Sequence, residues 1–183
     1  VRAFSIDDAT TVEIDDAFSV RELPGGRTSV GIHIAAPAVS ILHGDAYDAV
    51  ARSRLSTVYM PGRKITMLPD DVVRAFSLAA GEPRPALSLY VELNEQGAPV
   101  SHRTAVERVT VAANLALDKV GEAFANPLPS PADPPWAAEM RVLWKLVQRL
   151  SEARGKPEIS RVDFSFDVDW DATTAVPEPG RAR

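Results

Sequence analysis

The chain has 183 residues, 45% of them hydrophobic, and a net charge of −5 from 20 basic and 25 acidic side chains. That content builds a core of ordinary domain size and excludes a disordered polymer. The absence of cysteine excludes a disulfide framework, a thiolate zinc site and a cysteine nucleophile, while the net acidity counts against nucleic-acid binding over the whole surface.

In chain order, five acidic side chains come first: Asp7, Asp8, Glu13, Asp15 and Asp16 fall within ten residues. Alternation over residues 11–20 predicts a strand, with Val12, Ile14, Phe18 and Val20 on one face and Thr11, Glu13, Asp15 and Ser19 on the other. Asp16 falls on the apolar face, where a carboxylate is costly unless paired or metal-bound. Leu23-Pro24-Gly25-Gly26-Arg27 predicts a turn and residues 28–34 a second strand, a hairpin with the acids at its base. Asp45 is placed to cap a short helix over residues 46–54, and Tyr59-Met60-Pro61-Gly62-Arg63-Lys64 reads as a loop. A strand over residues 86–93, a turn at Asn94-Glu95-Gln96-Gly97 and a helix over residues 111–124 follow.

Residues 126–136 contain five prolines and read as an exposed loop that divides the chain. Beyond it, Trp136, Met140, Leu143, Trp144, Val147 and Leu150 recur at helical spacing until Gly155, with the tryptophans expected in the core. Val162, Phe164, Phe166, Val168 and Trp170 then alternate with Asp163, Ser165, Asp167, Asp169 and Asp171, a strand whose acidic outer face reads as solvated and aggregation-blocking.

The acidic cluster does not fit an EF-hand, since Ala9 stands third from Asp7 and Ser19 twelfth from Asp8. No glycine-rich phosphate or dinucleotide motif is present, and His33, His43 and His102 lack zincin spacing; they read as surface or hydrogen-bonded core residues. Two readings stay open on composition alone: a solvated acidic loop, or a carboxylate site for a hard cation such as Mg²⁺, which takes oxygen ligands and is completed by substrate phosphate. Arg52, Arg54, Arg63, Lys64, Arg74 and Arg84 leave room for a local basic surface in an otherwise acidic chain.

The run Ile6-Asp7-Asp8-Ala9-Thr10-Thr11-Val12-Glu13-Ile14-Asp15-Asp16-Ala17-Phe18-Ser19 resembles the signature of the RNB catalytic domain of the ribonuclease II and ribonuclease R exoribonucleases. Gly31-Ile32-His33-Ile34-Ala35, Ser56-Thr57-Val58-Tyr59-Met60-Pro61-Gly62, Ile65-Thr66-Met67-Leu68-Pro69 and Arg84-Pro85-Ala86-Leu87-Ser88 resemble the family's next blocks in order. The likeness runs to about residue 124 and is thin beyond residue 126. It implies a mixed α/β fold, a sheet wrapped by helices. Residues 1–125 would form the N-terminal part of the catalytic domain, 126–136 a Pro-rich loop, and 137–183 its continuation as helix then strand.

The implied activity is hydrolytic 3′-to-5′ degradation of single-stranded RNA, processively, to nucleoside 5′-monophosphates with Mg²⁺ (Mn²⁺ as substitute). By position the catalytic acids are Asp7, Glu13, Asp15 and Asp16: Asp7, Asp16 and Asp15 for the metal, Asp15 for the chemistry and Tyr59 as the aromatic that stacks on the RNA. Asp8 has no counterpart and reads as a bystander. Glu13 departs from the family's usual aspartate, Ala36 from an aspartate and Leu117 from an aromatic. The resemblance also implies an arginine and a glutamate of the active site, and flanking RNA-binding modules, that this chain does not carry. A chain opening on Val1 fits a piece of a longer protein. The alternative is a catalytically degenerate module that binds RNA or protein; a structural domain with an acidic surface is a third reading. No apolar run reaches the roughly 20 residues a bilayer requires, residues 30–42 being broken by His33 and Pro37, so no membrane association is expected and the localisation is expected to be cytoplasmic.

Overall fold

The computed structural model describes residues 2–60, 63–124, 129–155, 165–167 and 176–178. Five strands close into a barrel in the order β1, β2, β3, β6, β7: β1 (Ala3–Asp7), β2 (Asp16–Leu23), β3 (Arg27–Ala35), β6 (Pro83–Leu93) and β7 (Pro99–Ala116). All neighbours are antiparallel except β1 and β7, whose parallel pairing closes the ring. Between β3 and β6 lie α1 (Ala46–Arg54), the short hairpin β4 (Val58–Met60) and β5 (Arg63–Ile65), and α2 (Asp70–Phe76). After β7 come α3 (Leu117–Phe124) and α4 (Ala137–Ala153), and β8 (Ser165–Asp167) pairs with β9 (Val176–Glu178). The fold class is mixed α/β, as expected.

A five-stranded barrel leaves little interior room, and the sequence supplies small residues for it. Ala3, Ser5, Ala17, Ser19, Ala86 and Ser88 are all buried. The larger apolar groups divide between two cores. Ile14, Leu78, Val109 and Val111 join the small residues at one end of the barrel. Phe4, Leu115, Val120 and Met140, with Phe18 and Trp136 against them, fill the space between the outer wall and the helices. Burying a large apolar side chain such as Phe4 contributes about 2–3 kcal/mol, so α3 and α4 hold one flank of the barrel by apolar contact. Asp133 fixes the start of α4 through a 2.7 Å ion pair with Arg141.

Several expectations stand. Asp45 caps α1, its side chain accepting from the Asp48 amide. The 23–27 turn joins β2 and β3 in full register, and Asn94–Gly97 turns between β6 and β7.

Other expectations are corrected. Residues 8–15 form an irregular loop rather than strand: Val12 is 71% exposed and only Ile14 is buried. Strand β2 begins at Asp16, and its inward parity belongs to Ala17 and Ser19. Phe18 and Asp16 therefore face outward, and Asp16 is exposed instead of pointing into the core. Residues 111–116 are the end of β7 and not helix, because burial at Val109, Val111 and Leu115 follows a period of two and the segment pairs with β1 from Ala3↔Val111 to Asp7↔Ala116. Its alanines favour helix, and tertiary pairing overrides them. The segment read as a loop at 59–64 contains the two strands of the β4–β5 hairpin, with residues 61–62 outside the described residues. Trp136 is partly buried, whereas Trp144 is 44% exposed and is not core. Of the strand expected over 162–170, residues 165–167 are described; the remainder, with Trp170, lies outside the described residues.

Candidate functional site

The barrel register brings the N-terminal acids to one rim. Asp7 ends β1 beside Ala116, and Asp16 starts β2 opposite Ile34. The loop between them is pinned at its far side. Ile14 N–H donates to Ser77 Oγ at 2.9 Å, the Leu78 amide donates to the Ile14 carbonyl at 2.9 Å, and Ser77 Oγ–H donates to the Val12 carbonyl at 3.1 Å. The Ala35 amide binds the Asp15 carbonyl at 2.8 Å. With Ile14 turned inward, Glu13 and Asp15 are carried on the other side of a fixed backbone.

The acids act on one another through their charges. The Asp15 carboxyl is held above the usual carboxylate range, first by partial burial, then by the charges of Glu13 and Asp16, with a further push from Asp7; the Lys64 ammonium opposes them. Asp7 Oδ2 is buried and has no hydrogen-bond partner. A buried carboxylate oxygen without a partner is costly, and hard oxygen donors of this kind suit a divalent cation. Among the described residues, however, no three carboxylate or imidazole groups converge into a ready-made cage. Mg²⁺ is commonly held by one or two carboxylates, with waters and substrate phosphates completing its shell, so the donor set fits such an ion without enclosing it. Asp8 is exposed at a turn in which the Thr11 amide binds its carbonyl.

Glu13 has a partner that the sequence did not reveal. Lys64 Nζ lies 3.0 Å from Glu13 Oε2, and the pair is mostly shielded, with side-chain exposures of 27% and 14%. Lys64 stands opposite Tyr59 in the hairpin, its ammonium 5.8 Å from the centre of the Tyr59 ring. Tyr59 itself is 75% exposed, so it is a surface residue and not part of the core. The role of Ser77 also lay beyond sequence reasoning, since nothing in its local sequence marks it as the anchor of a loop more than sixty residues earlier. Asn114 is a third such residue: its amide nitrogen donates to Ser5 Oγ at 2.9 Å and to the Leu78 carbonyl at 3.0 Å, tying the end of β7 to β1 and to the anchor of the acid loop.

Of the departures noted in the sequence, Ala36 follows β3 with its amide bound to the Pro85 carbonyl at 3.1 Å, and Leu117 opens α3 at 38% exposure. His33 is fully buried and hydrogen-bonded, as one of its expected readings required.

The site is thus a closed barrel with a carboxylate-bearing rim and an exposed aromatic hairpin tied to it through Lys64 and Glu13. The family model for the RNB domain matches residues 1–177, and the chain belongs to that family. It is 32% identical over 185 residues to Exoribonuclease 2 of Edwardsiella piscicida, covering 97% of this chain and 29% of that protein. Over 94 residues, 51% of this chain and 9% of the relative, it is 43% identical to a protein of Arabidopsis thaliana named Inactive exonuclease DIS3L2. Its fold matches that of Mycoplasma genitalium RNase R in complex with ribose-methylated single-stranded RNA, with a TM-score of 0.82 and 19% identity over 93% of this chain and 27% of that one. The chain thus spans less than a third of the length of each of these relatives. Among the described residues no helix is long and apolar enough to cross a membrane.

Proposed function

We propose that this chain supplies the acid-bearing part of a hydrolytic exoribonuclease that degrades single-stranded RNA from its 3′ end, processively, to nucleoside 5′-monophosphates. The observation that supports the reading is the placement of Asp7 at the end of β1 and Asp16 at the start of β2, with Asp7 Oδ2 buried without a partner, in a chain that belongs to the RNB family. Asp7 and Asp16, with Asp15 beside them, would hold Mg²⁺ or Mn²⁺, which supplies Lewis acidity and charge neutralisation at the phosphodiester. Asp15 orients the attacking water by accepting a hydrogen bond from it at its carboxylate. The exposed Tyr59 ring stacks on a base, an interaction worth about 1–3 kcal/mol and indifferent to sequence. The chain covers 29% of Exoribonuclease 2, which is in keeping with a parent protein that carries the rest of the catalytic domain; flanking RNA-binding modules and a cytoplasmic location belong to the same proposal.

The test is Asp15→Asn in the protein that contains this domain, with mononucleotide release from a single-stranded RNA followed in Mg²⁺. A loss of about a thousandfold or more is expected for removal of a catalytic acid; release at the wild-type rate overturns the assignment. A second reading is an RNB-like module that holds RNA without cutting it; relatives named as an exonuclease and as an inactive exonuclease, both of Arabidopsis thaliana, are equally similar to this chain, at 43% identity over 94 residues. RNA binding without product in either Mg²⁺ or Mn²⁺ would establish it.

A further inference from the structure

The Glu13–Lys64 pair connects two parts of the site that the sequence treats separately. Glu13 belongs to the acid loop, whose backbone is fixed on either side of it through Val12 and Ile14. Lys64 belongs to the hairpin that carries Tyr59, at the position directly opposite that ring. To ligate a cation, Glu13 Oε2 would have to release an ammonium 3.0 Å away and leave it, three-quarters shielded, beside a second positive charge. Both steps are unfavourable: the separation removes an attraction strengthened by partial burial, and the new arrangement adds repulsion. Glutamate's extra methylene gives its carboxylate a longer reach from the backbone than aspartate's, and that carboxylate meets Lys64.

We infer that Glu13 is a positioning residue in this protein and not a metal ligand: it docks the 58–65 hairpin against the acid loop through Lys64 and so fixes the exposed Tyr59 ring at the carboxylate rim. The hairpin has little else to hold it there. Val58, Tyr59, Met60, Arg63 and Ile65 are exposed, and Lys64 is the half-buried member among its described residues. Its approach to α1 is steadied from the flanks instead, by Arg54 donating to the Thr66 carbonyl at 2.9 Å and by the Met67 amide on Thr57 Oγ1 at 3.2 Å. The ammonium beside the ring also limits the orientations of Tyr59, since a cation near an aromatic face attracts it. The second arm of the test rests on the reading of Asp7 and Asp16 as cation holders; the first does not.

The experiment uses the protein that contains this domain, with Glu13→Gln, Lys64→Met and Lys64→Arg, alongside Asp7→Asn, Asp16→Asn and Tyr59→Ala. In the first arm, hydrogen–deuterium exchange is read over residues 58–60 and 63–65. Glu13→Gln and Lys64→Met should each speed exchange there by about fivefold, the scale of a half-shielded ion pair, while Lys64→Arg, which keeps the charge, stays near wild type. Unchanged exchange in Glu13→Gln overturns the inference. In the second arm, the rise in melting temperature on adding Mg²⁺ is measured. It should persist in Glu13→Gln and vanish in Asp7→Asn and Asp16→Asn; loss in Glu13→Gln equal to that in Asp16→Asn makes Glu13 a ligand and overturns the inference. If the wild-type chain shows no Mg²⁺ response, the proposed function fails at its metal site while the exchange arm still decides the role of Glu13. Binding of a fluorescent oligoadenylate then separates positioning from general stability. Glu13→Gln should weaken it about fivefold in the wild-type background and add nothing in the Tyr59→Ala background, and equal effects in both backgrounds would count against a role through Tyr59.

Discussion

Two regions of the barrel bury polar atoms, and they settle them in opposite ways. In the interior, the His33 ring lies 3.0 Å from Ser19 Oγ and 2.8 Å from Ser88 Oγ, with Tyr90 packed edge-on and its hydroxyl donating to Glu107 at 2.7 Å. At the rim, Asp7 Oδ2 has no partner and the Asp15 carboxyl is crowded by like charges. A satisfied network specifies one packing and resists change; a rim with unmet charge stores free energy that a cation and a phosphate can release. The difference separates polar residues that hold the barrel from those that equip it.

The comparison predicts losses of stability in the interior and a gain at the rim. His33→Ala should cost most, about 3 kcal/mol in denaturant unfolding, because it leaves the Ser19 and Ser88 hydroxyls buried without their shared partner and opens a void. Gly31→Ala comes next at about 2 kcal/mol by the same measurement: a Cβ there would run into Ser19 Oγ and stand 2.9 Å from His33 Nε2, in a space with no slack. Asp7→Asn should act in the other direction. Measured in a chelator, it should raise the melting temperature by about 2–4 °C, the shift that about 1 kcal/mol makes in a chain of this size, since it removes charge beside Asp15. A fall instead would mean that Asp7 is structural and would erase the contrast.

The smallest effect is a pH dependence. Burial pushes His33 below the ordinary histidine value, against an opposing pull from Glu107. The unfolded chain therefore takes up the proton first as the pH drops. This contribution to stability is complete above about pH 6.5 and is lost as the pH falls below it towards the folded value. Melting temperature should decline between pH 7.5 and 6.0 in the wild type and decline less in His33→Gln; identical profiles would show that the interior is not what senses protons.

What could be read from the chain alone follows the same division. The acids were legible because five of them in ten residues break every local rule for a soluble strand, and the capped helix after Asp45 was legible because its signals are contiguous. The barrel was not. Its interior parity runs through Ala17, Ser19 and Ser88 and not through the large apolar residues, so alternation pointed to the wrong face of β2 and sent Asp16 inward. The end of β7 was obscured because Ala112, Ala113 and Ala116 favour helix locally, while the partner that makes them strand lies at residues 3–7. Lys64 looked like one basic residue among several; only the register of a three-residue strand sets it against Tyr59 and within reach of Glu13.

The parallel seam between β1 and β7 bears on the order in which the site is made. Every other barrel pairing joins strands that an antiparallel connection can bring together, but Ala3 to Asp7 must wait for residues 111–116, more than a hundred positions later. Contacts of such separation form late and slow the search for the native topology. Asp7, the first of the five acids in chain order, is held beside Ala116 and is among the last to be fixed, so the rim acquires its full charge only once the barrel that must bear it has closed.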